Sequence, residues 1–414
     1  MSRSTAPAPS VHDFARKLAQ PSLRPRVLDY LRWRRAVRAA RAAGEAAPAL
    51  PEGVGPLSVN LDLTTACNYA CDHCIDWEAL NLAVRHDLDA LRDGLRRLQR
   101  RGLRSVILIG GGEPTLHPAF VEVVRFLKRD LGVQLAVVSN GSRNERILQV
   151  MPFLERGDWV RLSLDAGRDT TFQAMHHPKG RGIDLDAICR SAAALKEANP
   201  DVQLGYSFVV TWRGARAEDR TVVENLGEME EAAVRAKEHG FDYISFKPFL
   251  QREDEGAEVF DPTGGGRSPE EIRCLLREGL LAAARHEDAG FRVVESTNLR
   301  VFLDGSWRDY TVQPRECHLQ ALRQVMSPLG TFNCPAHRGV AKARIGGTAA
   351  WSGDGGEGAE GTARLLDAFD ASHECSNVTC LYNPVNHLLE RVVSGDGDVA
   401  DLFPEGEELG DAFL

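Results

Sequence analysis

The sequence lacks several features that would place it in familiar classes of protein. No apolar run approaches the roughly 18 residues that span a bilayer, so we do not expect a membrane protein. The first residues have no apolar core and do not read as a secretory signal. Cysteine occurs nine times, an odd number in a chain of 414 residues. This argues against a disulfide framework and predicts a reducing, cytoplasmic location.

Acidic residues are scarce near the N-terminus of the chain, and basic residues are scarce near its C-terminus. Residues 1–55 carry ten Lys or Arg against four Asp or Glu, and residues 351–414 carry two Arg against fourteen Asp or Glu. The basic segment predicts an amphipathic helix with Leu28, Leu31 and Val37 on its buried face. The pattern favours an arginine-rich helix packed on the body over a nucleic-acid or membrane interface, and it favours a solvated surface or tail at the acidic end.

Between residues 58 and 250 strand-like and helix-like segments alternate with short connections. This rhythm predicts parallel strands joined by right-handed helical crossovers. Six units suit an α/β fold with a partial (βα)6 TIM-like barrel, in which functional residues gather where the strands end. The predicted strands are 58–64, 105–111, 134–140, 159–167, 202–210 and 242–249.

The alternation of strand-like and helix-like segments stops after residue 250, and this change divides the chain into predicted units. One more helix is predicted over 269–290, and the Gly-rich stretch 346–362 predicts a flexible excursion. The predicted units are an N-terminal helical extension (1–55), a core barrel (56–287) and a C-terminal domain with an acidic tail (288–414).

Three cysteines stand together just after the first predicted strand, in CNYACDHC (67–74). The spacing of Cys67, Cys71 and Cys74 lets one loop wrap three corners of a [4Fe–4S] cubane, whose irons prefer thiolate ligands. The alternative is a zinc site that borrows His73, but a histidine adjacent to Cys74 is poorly placed to bind the same ion. The spacing favours a cluster with one iron open to an outside ligand.

This loop resembles the CxxxCxxC loop of the radical SAM superfamily, which follows the first strand of a partial barrel. The resemblance implies that the open iron chelates S-adenosylmethionine and that its reductive cleavage releases a 5′-deoxyadenosyl radical. It further implies an adenine contact at His73 and a reducing partner such as flavodoxin or ferredoxin.

Three more stretches resemble motifs of this superfamily. GGGEP (110–114) resembles the GGE motif, in which Gly111 and Gly112 let the backbone approach the methionine end closely and Glu113 helps indirectly to hold its ammonium group. SNG (139–141) and SLD (163–165) resemble polar pairs that bind the ribose and the carboxylate. The alternative at each position is a simple turn or a strand-end cap. The remaining implied cofactor-binding residues are Ser139, Asn140, Ser163 and Asp165.

Four further cysteines follow the predicted barrel. They resemble the auxiliary-cluster region of twitch and SPASM members, and four thiolates leave a single [4Fe–4S] cluster no open iron. Such a cluster acts as an electron acceptor or relay, whereas a structural zinc ion is the alternative. The predicted ligands are Cys317, Cys334, Cys375 and Cys380.

Several residues are left with two interpretations each. Cys189 is predicted to be core, and Cys274 is either core or the hydrogen donor of an epimerase. Lys247 ends the sixth strand, where it either contacts an anionic group or is solvated. The pair His176–His177, with Lys179, lies in a surface loop or lines the substrate entrance.

The sequence thus predicts a radical SAM oxidoreductase with S-adenosylmethionine, a [4Fe–4S] cluster and an auxiliary [4Fe–4S] cluster. It would abstract a hydrogen atom and dehydrogenate a small-molecule or peptide substrate, in the setting of natural-product biosynthesis. The first alternative is an epimerase that uses Cys274 as hydrogen donor. The alternative of another class is a non-catalytic iron–sulfur or zinc protein.

Overall fold

The computed structural model describes residues 12–180, 182–217, 220–252, 257–262 and 266–414. A ten-stranded sheet in the order β11-β8-β5-β4-β3-β2-β1-β12-β13-β14 forms its centre, and the pairs β6–β7 and β9–β10 form small hairpins. The strands are β1 (Ser58–Asp62), β2 (Ser105–Ile109), β3 (Gln134–Ser139), β4 (Trp159–Ser163), β5 (Gln203–Val210), β6 (Arg216–Ala217), β7 (Arg220–Thr221), β8 (Tyr243–Pro248), β9 (Gln251–Arg252), β10 (Glu258–Val259), β11 (Arg292–Glu295), β12 (Arg323–Ser327), β13 (Gly330–Phe332) and β14 (Arg344–Gly346).

Helices cover the sheet and both ends of the described chain. They are α1 (Phe14–Ala19), α2 (Arg24–Ala42), α3 (Leu88–Arg101), α4 (Phe120–Arg125), α5 (Asn144–Leu148), α6 (Asp169–His176), α7 (Leu185–Ala198), α8 (Met229–Glu238), α9 (Pro269–Ala284), α10 (Thr297–Leu303), α11 (Leu319–Leu322), α12 (Gly356–Ala368), α13 (Ala371–Glu374), α14 (Asn383–Ser394) and α15 (Val399–Leu402). In the described part of the chain, none of them is both long enough and apolar enough to span a membrane.

The six predicted strands form one run of parallel neighbours, from β1 through β2, β3, β4 and β5 to β8. Local signals place the helices between them. The Asp87 side chain caps the start of α3, and Gly102, with φ of +117°, ends it in the left-handed conformation. The prediction of an α/β fold built from βα units is therefore confirmed.

The sheet extends on both sides beyond the predicted six strands. The short strand β11 pairs in parallel with β8, and β12 pairs in parallel with β1, so that Arg323 lies opposite Ser58. These strands have four and five residues, which is too short for their periodicity to stand out in the sequence. The sheet runs across the predicted domain boundary near residue 287, and the predicted domain limits stay predictions.

The Gly-rich stretch 346–362 is not a flexible excursion, and that prediction is wrong. Most of its second half forms α12, which packs on the fully buried Trp351. A Cβ at Gly358 would lie 2.5 Å from the Trp351 ring, and one at Gly361 would lie 2.1 Å from the Ile345 carbonyl oxygen. These glycines permit close packing of a helix, which composition alone does not distinguish from flexibility.

The basic and acidic ends of the chain contact each other. Arg34 of α2 is buried and forms ion pairs with Glu316 and, at 2.8 Å, with Asp367. Arg38 lies 2.7 Å from both Glu316 and Glu390. The predicted packing of the arginine-rich helix on the body is thus present in the structure, and acidic side chains of the C-terminal region are among its partners.

The acidic tail is only partly solvated, which corrects the prediction for this end. Residues 404–410 are exposed, but Phe413 is buried and its ring lies 5.4 Å from that of Trp159. Ser105 donates to the Ala412 carbonyl at 2.7 Å, and Lys17 donates to the Phe413 carbonyl at 2.7 Å. The last residues therefore close the amino-terminal end of the parallel sheet.

Candidate functional site

The three-cysteine loop directly follows β1, at the carboxyl end of the parallel strands. The end of α6 holds this loop: Ala70 donates its N–H to the His176 carbonyl and Asp72 donates to the Met175 carbonyl, both at 3.0 Å. Within the loop, the N–H of Cys74 donates to the Cys71 carbonyl at 3.2 Å. The backbone thus presents three thiols from one short, anchored segment.

The protein environment disfavours free thiolates in this loop. Burial raises the pKa of Cys67, and it raises the pKa of Cys74 to about 12. Burial together with the neighbouring thiols raises the pKa of Cys71 well above its usual value. Bound iron would supply the positive charge that deprotonates such thiols, so three thiols on one anchored loop are compatible with a metal centre.

A buried histidine contacts the loop from α6. His176 Nδ1 lies 3.1 Å from Cys71 Sγ, and His176 Nε2 lies 3.0 Å from the Leu164 carbonyl oxygen. Burial lowers the pKa of His176 to about 4, so the ring is neutral and its Nε2 carries the hydrogen that the carbonyl accepts. Sequence reasoning named His176 only as part of a surface loop or substrate entrance, and the contact with Cys71 was missed.

Asp165 links this histidine to the loop. It lies just past β4 with φ of +51°, and its Oδ2 is 3.1 Å from His73 Nε2 and 3.6 Å from His176 Nε2. Burial raises the pKa of Asp165, but the hydrogen bond and charge of His73 outweigh that effect and leave the pKa below its usual value. His73 therefore has one nitrogen committed to Asp165, and its Nδ1 is buried without a partner.

The buried carboxylate of Glu113 accepts several hydrogen bonds and so connects the ends of β2 and β3. Its carboxylate accepts from Thr115 Oγ1 at 2.6 Å, from Ser139 Oγ at 2.8 Å and from the Asn140 N–H at 2.7 Å. Its own N–H donates to the Ala66 carbonyl at 2.8 Å. The polypeptide thus occupies both carboxylate oxygens, and Glu113 acts on a ligand indirectly, by fixing two strand ends.

The glycines of the GGE stretch make room for the cysteine loop. A Cβ at Gly112 would lie 2.4 Å from the Ala66 carbonyl oxygen and 2.6 Å from Thr65 C, whereas one at Gly111 would meet nothing closer than 3.7 Å. Close approach of the loop backbone therefore requires a glycine at Gly112. The contact of this stretch with methionine stays a prediction.

The end of β3 also holds the cysteine loop from the side. Asn140 Nδ2 donates to Asn68 Oδ1 at 2.9 Å, and the Tyr69 hydroxyl donates to the Asn140 carbonyl at 3.3 Å. Ser139 and Asn140 are thus bound into one network with Glu113 and the loop. The structure brings these predicted residues together at one edge of the sheet.

Ser163 and Lys247 lie near the same edge. Ser163 is opposite Ser207 in the register of β4 and β5, and Lys247 Nζ donates to Ser207 Oγ at 3.0 Å. Burial, followed by the charge of Arg161, lowers the pKa of Lys247 well below its usual value. Lys247 is thus partly buried and bonded to the neighbouring strand rather than fully solvated, and its contact with an anionic group stays a prediction.

The four later cysteines line a single cavity of about 130 Å³. They come from separate segments: Cys317 precedes α11, Cys334 follows β13, and Cys375 and Cys380 flank the turn between α13 and α14. Burial raises the pKa of each thiol, and the charges of the other cysteines raise the pKa of Cys375 further. The fold therefore gathers four thiols around one space.

The sulfur atoms at both cysteine sites are spread more widely than one zinc ion requires. Four sulfurs at about 2.3 Å from Zn²⁺ would lie about 3.8 Å apart. Among the described residues, the one set of three or more Cys, His, Asp or Glu side chains whose ligand atoms all lie within 4.8 Å of one another is His73, Asp165 and His176. A cubane distributes its thiolates over separate irons, so the wider spacing fits a cluster better than zinc.

A buried ion pair connects the two cysteine sites. Arg338, four residues after Cys334, lies 2.8 Å from Asp62 at the end of β1 and 2.5 Å from Asp76, two residues after Cys74. All three charged residues are buried. No motif or spacing in the sequence indicates these two contacts, because Arg338 is more than 260 residues from each of its carboxylate partners.

The two remaining cysteines differ in environment. Cys189 is fully buried, as predicted. Cys274 is exposed, and its thiol faces Glu278 on the same helix at 3.7 Å. Its interpretation as a core residue is therefore wrong, and it lines neither the four-cysteine cavity nor the cleft beside Cys74. An epimerase mechanism would lack its predicted hydrogen donor at either site.

Comparison with known families agrees with this geometry. Residues 61–226 match the family model of the radical SAM superfamily. This match places a radical SAM domain within the chain, and the resemblance carried by the motifs is confirmed for that segment. A [4Fe–4S] cluster and S-adenosylmethionine are the cofactors of this superfamily, so the family match supports the prediction of both.

Individual relatives are similar over part of their length. The S-adenosylmethionine-dependent nucleotide dehydratase of a Thermoplasmatales archaeon (strain ISO4-H5) is 31% identical over 153 residues, 37% of this chain and 52% of that protein. The mycofactocin maturase MftC of Mycobacterium ulcerans (strain Agy99) is 28% identical over 191 residues, 45% of each chain. The chain thus spans about half the length of these two relatives.

Among solved structures, Streptococcus suis SuiB bound to S-adenosylmethionine is similar over 86% of this chain and 77% of that chain. The TM-score is 0.53 and the sequence identity is 13%. At this identity the likeness concerns the fold, and it extends well beyond the segment that matches the family model.

Proposed function

We propose that this radical SAM enzyme abstracts a hydrogen atom from a small-molecule or peptide substrate and then oxidises the substrate, in natural-product biosynthesis. The observation that carries the proposal is the presence of two cysteine sites that share a border. The cleft beside Cys74 and the four-cysteine cavity are both lined by Leu250. A substrate held at this border would face both sites, which is the arrangement that abstraction followed by oxidation needs.

At the first site, Cys67, Cys71 and Cys74 would hold the [4Fe–4S] cluster and leave one iron without a protein ligand. When bound, this cluster and S-adenosylmethionine supply a 5′-deoxyadenosyl radical that removes a hydrogen atom from the substrate. The chain supplies geometry: Glu113 fixes the ends of β2 and β3, and Asn140 fixes the loop through Asn68. Rigid support of this kind keeps the reacting atoms aligned.

At the second site, Cys317, Cys334, Cys375 and Cys380 would hold an auxiliary [4Fe–4S] cluster. Completing the oxidation releases one more electron and a proton, and a cluster saturated by four thiolates is suited to take the electron. The wide spacing of the sulfur atoms supports this assignment over zinc. A flavodoxin or ferredoxin is the proposed reductant of the first site, and nine free cysteines agree with the proposed cytoplasmic location.

The first test is the composition of the anaerobically reconstituted protein. Two cubanes give about eight irons and eight sulfides per chain. Incubation with dithionite and S-adenosylmethionine then yields 5′-deoxyadenosine. Binding of about four irons with one zinc ion would contradict the auxiliary cluster, and absence of 5′-deoxyadenosine from the fully loaded protein would contradict the enzyme.

The second test is the change in the substrate, sought first among the products of neighbouring genes. Oxidation removes two hydrogen atoms from the substrate for each 5′-deoxyadenosine formed. A product with the same elemental composition as the substrate, but with deuterium taken up from D₂O solvent, would indicate epimerisation instead. Loss of the elements of water from the substrate would indicate dehydration. Mass spectrometry of the product separates these three outcomes.

A further inference from the structure

The wall of the four-cysteine cavity carries donors that the polypeptide leaves unpaired. His337 is 1% exposed; its ring lies near the Glu374 backbone, but neither ring nitrogen makes a hydrogen bond of normal geometry. Tyr382 is 5% exposed, and its hydroxyl has no partner either. Both line the cavity, close in sequence to Cys334 and Cys380. A buried polar group without a partner is destabilising, so such groups are normally paired.

Arg323 adds a cation to the same wall. Its Nη2 donates to Asn60 Oδ1 at 3.0 Å, its guanidinium lies 5.3 Å from the Tyr382 ring centroid, and its Nε is buried without an acceptor. None of the ion pairs among the described residues includes it. Glu258 and Cys334 line the same cavity as Arg323. This wall therefore combines a guanidinium cation with donors that have no acceptor, beside the carboxyl group of Glu258.

The groups on this wall match the chemistry of a cluster. Sulfides and thiolates are acceptors that share negative charge, and a cubane presents several of them to every side of its cavity. One such bond already exists, because Asn386 Nδ2 donates to Cys317 Sγ at 3.4 Å. The wall thus already directs one donor, the Asn386 amide, at the sulfur of a predicted ligand.

On the basis of the proposed function, we propose that Arg323, His337 and Tyr382 donate hydrogen bonds to the sulfur atoms of the auxiliary cluster and raise its reduction potential. The reduced cluster carries one more negative charge than the oxidised cluster, so donors and a cation stabilise the reduced form more strongly. The three residues do not contact the substrate in this proposal. They make the four-cysteine cavity an electron-accepting site rather than a purely structural one.

The test measures the midpoint potential of the auxiliary cluster alone. The full-length triple variant Cys67→Ala, Cys71→Ala, Cys74→Ala removes the first cluster, so potentiometric titration followed by electron paramagnetic resonance reports on the second. Adding Tyr382→Phe, which deletes one hydroxyl and keeps the ring, shifts the midpoint to a more negative potential. The matched control is Tyr310→Phe, which removes a hydroxyl outside the cavity lining and leaves the potential unchanged.

A second readout counts the hydrogen bonds directly. After exchange into D₂O, the reduced cluster shows hyperfine couplings to exchangeable deuterons, and Tyr382→Phe removes one of them. His337→Gln keeps an N–H donor and shifts the potential less than His337→Phe. An unchanged potential and unchanged couplings in both Tyr382→Phe and His337→Phe, with the cluster retained, would overturn the proposal.

This outcome is separable from failure of the proposed function. About four irons per chain in the triple variant support the auxiliary cluster whether or not the potential moves. A triple variant that binds zinc and no iron overturns both the auxiliary cluster and the donors. If Tyr382→Phe loses its cluster, Arg323→Lys is the replacement, because it keeps the charge but loses Nε; an unchanged potential there would also contradict the proposal.

Discussion

The two cysteine sites are built in opposite ways. Cys67, Cys71 and Cys74 lie within eight residues on one loop, and neighbouring strand ends and α6 hold that loop. The other four cysteines span 64 residues, from Cys317 to Cys380, and meet because separate segments pack around one cavity. A local site can be recognised by spacing, whereas an assembled site depends on the fold that brings it together.

Their surroundings differ as well. His176 reaches Cys71 with a neutral ring, and the Glu113 carboxylate is occupied by other parts of the chain, although His73 keeps one buried nitrogen without a partner. The wall of the four-cysteine cavity instead keeps donors free at His337 and Tyr382. The first site is therefore held mainly by bonds within the chain, whereas the wall of the second keeps unpaired donors.

The largest expected effect separates the two sites by function. Cys71→Ala removes a ligand of the cluster that cleaves S-adenosylmethionine, so 5′-deoxyadenosine formation falls about 100-fold or more. Cys317→Ala leaves this cleavage within about threefold but abolishes the oxidised product, because only the proposed electron acceptor is lost. The measurement is 5′-deoxyadenosine and product by chromatography. Equal loss of cleavage in both variants would remove the distinction between the sites.

The next effect tests the link between the sites. Arg338→Met leaves Asp62 and Asp76 buried without their cation, so the free energy of unfolding falls by about 3–5 kcal/mol. Arg338→Lys keeps a charge and costs less, which makes it the matched control. Denaturant unfolding of the cluster-free protein measures both. A loss below about 1 kcal/mol in Arg338→Met would show that the pair does not stabilise the fold.

A smaller effect is expected at the edge of the first site. Glu113→Gln replaces one carboxylate oxygen by a donor, which opposes the N–H and O–H groups of Thr115, Ser139 and Asn140. The strand ends lose their alignment, and affinity for S-adenosylmethionine falls about tenfold, equivalent to about 1.4 kcal/mol. Calorimetry of the reconstituted protein measures the affinity, with iron content as control. Undiminished affinity at full iron content would exclude Glu113 as a positioning residue.

The smallest effect is expected away from both sites. Cys274→Ser changes an exposed thiol that contacts its own helix, so product formation stays within about twofold of the unchanged protein. An epimerase that used this thiol would lose turnover entirely. Product formation by the variant, measured beside Cys189→Ser as a buried cysteine control, decides between these alternatives.

Much of the candidate site follows from the sequence because its signals are local. The six parallel strands are continuous apolar or alternating runs, and the loop, GGE, SNG and SLD stretches each follow one of them. The fold confirms that these strand ends share one edge of the sheet. The role of Gly112, by contrast, depends on the tertiary structure, because the Ala66 carbonyl of another loop occupies the position that a Cβ at Gly112 would take.

The residues that the sequence did not reveal act over long separations. Arg338 meets Asp62, His176 meets Cys71, and Arg34 meets Glu316 and Asp367, each through packing that no motif encodes. One signal was available: the opposite charges of the two chain ends are complementary, and they do pair. The packing of Gly358 against Trp351 was likewise not evident from the sequence, although it places the Gly-rich stretch in a packed helix.

The sequence by itself determined the resemblance to the superfamily, the α/β fold and the three-cysteine loop, because each depends on residue spacing within single segments of the chain. The tertiary structure alone decided that four distant thiols share one cavity, that Arg338 pairs with Asp62 and Asp76 beside the first loop, and that Cys274 faces solvent. The physical reason is that burial, ion pairing and the supply of unpaired donors are properties of packed neighbours.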